Sequence, residues 1–170
     1  MIITREVDYS IRLIRAMQDG EIHSMKPLCQ EEEIPWKFAY QIIRKLRDAG
    51  LFRTYSGVRG GCQLIRKPSD ITLLTVLRAL DDRCFVSACV ENGYECEWVK
   101  KKQHPCNVHT KLCAIERALE TTFAGITMED LLSEKSLGSV TLDLSCRTEE
   151  KRETGGAVLP EDLIENPSVS

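Results

Sequence analysis

Apolar residues return at helical spacing through the first half of the chain. Val7, Ile11, Ile14 and Met17 predict a helix opened by Thr4, a residue suited to an N-cap, and stopped by Gly20. Ser24 opens a second, shorter helix running through Leu28 and Cys29 to the acidic triplet Glu31–Glu33. Pro35 suits the first position of a third helix, which ends at Gly50. That helix has two well-separated faces: Ala39, Ile42, Ile43 and Leu46 form an apolar stripe, and Lys37, Tyr40, Gln41 and Arg44 a polar one of the same period. Strand formers then take over in Leu51–Tyr55 and Cys62–Ile65, on either side of the glycine-rich turn Ser56–Gly61. Thr72 caps a fourth helix holding Leu73, Leu74, Val76, Leu77 and Leu80. Three helices, a hairpin and a further helix follow the order of a winged helix-turn-helix. There the second helix supports the third, whose polar face enters a DNA major groove.

Periodicity lapses from Asp81 to Thr110. It returns with Leu112, Ile115, Leu119, Phe123 and Ile126, a helix of about four turns. Thr127-Met-Glu-Asp130 ahead of Leu131-Leu132 reads as a short capped helix. Beyond Ser133 the chain is polar, with Gly155-Gly156, Pro160 and Pro167, and is expected to be largely disordered. The expected protein is mainly α. Residues 1–80 form a winged helix-turn-helix with a two-stranded wing, 81–111 a cysteine-rich loop, 112–133 a long dimerisation helix with a short helix after it, and 134–170 a tail. No apolar run approaches the roughly 18 residues of a membrane span. The first residues lack the basic-then-apolar pattern of a secretory signal. A cytoplasmic protein is expected, with its thiols reduced and available.

Charge adds a weak pointer to nucleic acid. Through Leu80 the chain carries 13 Lys and Arg against 9 acids; Asp81–Ser133 carries 6 against 9, and Glu134 onward 4 against 8, which together give the net −3.

The cysteines carry more. Five of the eight (Cys84, Cys89, Cys96, Cys106 and Cys113) fall within 30 residues, with His104 and His109 among them. Soft thiolates gathered on an irregular segment suit an iron–sulfur cluster or zinc. The intervals of four, six, nine and six residues contain no Cys-x-x-Cys zinc knuckle, which argues against a structural zinc site. The alternative for any one of them is a small buried hydrophobe. Cys29 on the apolar side of its helix, Cys62 in the hairpin and Cys146 in the tail are left without a role. No glycine-rich phosphate loop and no nucleophile-with-base pattern points to an enzyme.

Several stretches together resemble the Rrf-two family of bacterial transcription regulators, of IscR, NsrR and RirA type. They are Thr4-Arg-Glu-Val-Asp-Tyr-Ser-Ile-Arg, Ile34-Pro35, Lys45-Leu-Arg-Asp-Ala-Gly-Leu51, Gly60-Gly61 with Ile71-Thr-Leu-Leu, and Ile126-Thr-Met-Glu-Asp-Leu-Leu132. The resemblance implies a homodimer on a double-stranded DNA operator, with no membrane association. It also implies an iron–sulfur cluster, [4Fe–4S] favoured over [2Fe–2S], that senses nitric oxide, redox state or iron and controls repression. Cys89 and Cys113 match the family's first and third ligands. Cys106 matches the second, with Cys96 as its rival in a first interval longer than usual. The fourth ligand is assigned to Asp8 of the partner subunit, where NsrR-type relatives carry an acid. Glu116, where IscR-type relatives carry a His, is its rival, followed by Cys96 and His109.

The DNA-contacting set implied is Lys37, Tyr40, Gln41, Arg44, Lys45 and Arg59. The wing departs from the family pattern: Ser56 stands where an Arg is usual, and Cys62 where Tyr or Phe follows the glycine pair. Two other readings remain open at this point. One is a cluster-free regulator of the same fold that senses through thiols or a partner, and the other an iron–sulfur electron carrier.

Overall fold

The structure is a computed structural model that describes residues 3–57, 60–80, 86–91 and 93–137. Its elements are α1 (Arg5–Ala16), α2 (Met25–Glu31), α3 (Trp36–Asp48), β1 (Phe52–Tyr55), β2 (Gly61–Leu64), α4 (Leu73–Leu80), α5 (Glu97–Lys102), α6 (Asn107–Ala124) and α7 (Met128–Leu132). It is a mainly helical protein with a two-stranded antiparallel wing, as the hydrophobic pattern predicts.

Local chemistry sets most of the boundaries. Thr4 caps α1, its hydroxyl accepting the Val7 N–H at 3.4 Å. At the end of α3, Gly50 takes a φ of +71°. The Gly50 and Leu51 amides then donate to the Arg47 and Leu46 carbonyls, both at 2.9 Å. This is a Schellman closure that a side chain at Gly50 would strain. Thr72 accepts the Thr75 N–H at 3.1 Å at the start of α4. Thr127 and Asp130 cap each other's backbone at α7, the reciprocal arrangement expected from the sequence.

The core gathers one face of each helix in the first half of the chain. Leu13 and Ile14 from α1, Ala39, Ile42, Ile43 and Leu46 from α3, Phe52 and Cys62 from the wing, and Val76 and Leu77 from α4 are buried together. The wing pairs Phe52 with Leu64 and Tyr55 with Gly61. It is tied to the loop after α1, where His23 and Cys62 exchange backbone hydrogen bonds at 2.9 Å in both directions. Gly61 is required for this approach: a Cβ there would lie 2.3 Å from the His23 carbonyl oxygen. Met128 of α7 is buried in the same core, and its N–H donates to the Ile71 carbonyl at 2.8 Å. The chain thus folds back so that the end of the long helix α6 returns to the winged half.

Two expectations need correction. Helix α6 begins at Asn107, not Leu112, so Cys113 lies inside it. The segment expected to be an irregular cysteine-rich loop contains α5 and a short 3-10 turn at Ala88–Val90. Lys45, one of the expected DNA contacts, also has partners within the fold: its ammonium donates to Glu6 of α1 and to the Leu80 carbonyl ending α4, each at 2.7 Å. One half-exposed side chain therefore joins three helices. Lys45→Ala should lower stability by about 1–2 kcal/mol, a charge-assisted pair discounted for solvent exposure. It should also leave the salt dependence of DNA binding unchanged, and thermal melts with salt titrations check both. Of the remaining expectations, Arg59, Cys84, Cys146 and nearly all of the 134–170 tail lie outside the described residues.

Candidate DNA-binding face and thiol site

Helix α3 follows α2 across the tight turn Glu32–Pro35 and turns its apolar stripe inward onto α1, α4 and β1. The opposite side is left to solvent. Lys37, Tyr40, Gln41 and Arg44 are all exposed along it, on the first three turns. The sequence reading passed over two further residues, Trp36 and Phe38, both about half exposed. The Phe38 ring stands edge-on to Tyr9 of α1, with centroids 6.2 Å apart, and the Arg12 guanidinium lies 5.9 Å from the Tyr9 centroid. The signal for them was present in the run Trp36-Lys-Phe-Ala-Tyr40, too aromatic for an ordinary solvated face.

The second site is built on α6. Cys106 is its N-cap residue, and His109, Cys113 and Glu116 follow at three-, seven- and ten-residue offsets, which places all four on one side of the helix. A ring nitrogen of His109 lies 3.4 Å from the Cys113 sulfur. Glu116 is the buried acid of the described residues, 7% exposed, and its Oε2 accepts the Val86 N–H at 2.6 Å. That bond holds the segment carrying Cys89 against α6. The Ala88–Val90 turn packs on the helix, and Ser87 Oγ donates to the Cys89 sulfur at 3.4 Å. Burial pushes the Cys113 thiol up; Arg117 opposes this, while negative charge on Cys89 and Glu116 adds to it. Cys89 and Glu116 thus lie within electrostatic reach of Cys113.

Cys96 and Asp8 lie on other elements. Cys96 is the N-cap of α5. Asp8, on α1, is half exposed and ion-paired with Arg12 at 3.0 Å. Among the described residues no three His, Cys, Asp or Glu side chains converge closely enough to hold a metal ion. The donor types are those of an iron–sulfur site, but in one chain the third thiol is two helical turns from the second. Cys62 and Cys29 are different in kind: both are buried in the core, and desolvation pushes Cys62 up to about 12 against the opposing backbone hydrogen bond of Gln63. They stay protonated and unreactive.

A helix-turn-helix with an antiparallel wing and a cationic, aromatic third helix, followed by a thiol-bearing long helix, defines a DNA-binding regulator rather than an enzyme. Residues 3–134 match the family described as Rrf2, iron-dependent transcriptional regulator, and the chain belongs to that family. Its relatives include the HTH-type transcriptional regulator IscR of Vibrio atlanticus, 28% identical over 73% of this chain and 72% of that protein. Another is the HTH-type transcriptional regulator NsrR of Geobacillus kaustophilus, 24% identical over 81% and 96%. The fold is that of Staphylococcus aureus CymR in its oxidized form, with a TM-score of 0.59 and 20% identity, covering 81% of this chain and all of that one. No helix of the described residues is long and apolar enough to cross a membrane.

Proposed function

We propose that this chain is a cytoplasmic homodimeric repressor whose operator binding is governed by an iron–sulfur cluster, [4Fe–4S] in preference to [2Fe–2S]. The observation that carries the cluster reading is the grouping of Cys89 with Cys113 beside the buried Glu116. Cys89, Cys113 and Cys106 would hold the cluster as thiolates, with a carboxylate completing the set. When bound, the cluster supplies a redox-active, nitric-oxide-reactive iron centre. The chain's own part is to fix two thiols on α6 and its adjoining turn. The same helix ends at Gly125, and the Ile126 carbonyl accepts the Leu73 N–H of the winged half at 2.8 Å. A change in α6 is thereby passed to the DNA-binding half through backbone rather than through flexible linker.

Anaerobic purification tests the reading directly. Visible absorption with stoichiometric iron and sulfide supports it. A colourless protein that still binds DNA supports the rival, a thiol switch between the neighbouring Cys89 and Cys113; the relation to CymR, solved in an oxidized form, favours that rival if the cluster is missing.

DNA affinity should fall steeply with salt as Lys37 and Arg44 displace counterions from phosphates. Lys37→Ala should weaken all sequences alike and lower the salt slope of the dimer by about two, one contact from each protomer. An unchanged slope in binding titrations between 50 and 200 mM salt (roughly the range over which phosphate contacts are resolved) removes Lys37 from the interface.

A further inference from the structure

The first turns of α3 carry an aromatic pair that takes no part in the core of the described residues. Trp36 and Tyr40 lie one turn apart on the same side of the helix, 53% and 67% exposed. Phe38, between them in sequence, is occupied with Tyr9. The pair is flanked by the exposed cations Lys37 and Arg44 and adjoins Gln41. A surface of this composition fits an occupant that is negatively charged along its rims and apolar at points between them. The major groove of DNA at A·T pairs is such an occupant, with phosphates on both edges and the thymine C5-methyl projecting between. Position in the helix agrees, since a recognition helix turns its N-terminal residues to the base edges.

We infer that Trp36 and Tyr40 are specificity-determining residues that cover thymine methyl groups, while Gln41 bonds the N6 and N7 edge of a neighbouring adenine. This rests on the DNA-binding reading above. The half-site is then centred on A·T pairs, and its thymines are read by apolar contact rather than by shape alone.

The test replaces the methyl and nothing else. A duplex selected from a random pool by the full-length chain is resynthesised with deoxyuridine in place of thymidine, one position at a time. The wild-type chain should bind roughly fourfold more weakly at one or two positions in each half-site, the value of one buried methyl at ~0.8 kcal/mol and 1.4 kcal/mol per decade. Trp36→Ala and Tyr40→Ala should each bind the thymidine duplex more weakly and become indifferent to uracil at one of those positions. Both should keep the wild-type circular dichroism, because neither ring is in the core. Uracil without effect on the wild type overturns the inference, as does sensitivity retained in both variants. DNA binding untouched by either variant also overturns it and leaves the pair to a protein partner. If the pool yields no enriched sequence, the DNA-binding reading itself fails and the inference falls with it.

Discussion

Leu119→Asp should leave the chain monomeric and weaken operator binding by two orders of magnitude or more. The reason lies in how α6 distributes its side chains. Its buried positions are Glu116 and Ala118, whereas most of its larger apolar residues stay at least partly open to solvent. Val108, Leu112, Ile115 and Leu119 recur at offsets of four, three and four. Val108 and Ile115 are exposed, and Leu112 and Leu119 half-buried. None of the four packs against the core cluster, although Phe123 and Ile126 further along do so as partly buried neighbours. In the proposed homodimer, this apolar stripe on a helix of 18 residues is the surface that a second copy would cover by two-fold symmetry with the same stripe. A charge at Leu119 would then be buried unpaired at the two-fold axis, a penalty of several kcal/mol. Operator binding follows, because a dimer engages two half-sites at once and a monomer forfeits the effective concentration of the second. Sedimentation velocity and gel-shift titration read the two effects, and far-ultraviolet circular dichroism should be unchanged. A dimer that survives the substitution would move the interface off α6.

The winged half was legible because its signals are local. Thr4, Gly50, Thr72 and the Thr127–Asp130 pair act on backbone within a few residues, and the α3 stripe states its own packing face. The remaining features depend on partners distant along the chain. Lys45 looks like any surface cation of a recognition helix, and its partners Glu6 and Leu80 lie 39 and 35 positions away. The apolar period alone places the start of α6 at Leu112, because Cys106, His109 and Cys113 add no aliphatic residue ahead of it. Their own spacing, continuous with Val108 and Leu112, already had the helical period. Glu116 was weighed only as a possible ligand. An acid inside a helix ordinarily faces solvent, and the backbone amide that holds it belongs to Val86, 30 positions earlier.

That placement decides the expected result at the thiol site. Glu116→Ala should shorten the lifetime of cluster absorbance under a chelator by about 10- to 100-fold, the usual effect of removing a group that orients metal ligands. Two losses coincide in this variant. The Val86 N–H is left without its acceptor in a partly buried position, at a cost of about 1–3 kcal/mol. The turn carrying Cys89 then loses a bond that holds it to α6 beside Cys113. Limited proteolysis between Val86 and Gln103 should accelerate in the metal-free protein too, giving a readout that owes nothing to iron. Asp8→Ala breaks only a half-exposed pair with Arg12, worth about 0.3–0.5 kcal/mol within a helix. On its own chain it touches none of the thiols' neighbours. Should Asp8→Ala bleach the cluster while Glu116→Ala spares it, the carboxylate comes from α1 of the partner, and the first helix itself is then tied to cluster state. Should both variants keep a stable cluster, the site is completed by sulfur, and Cys96, at the start of α5, is the thiol expected to supply it.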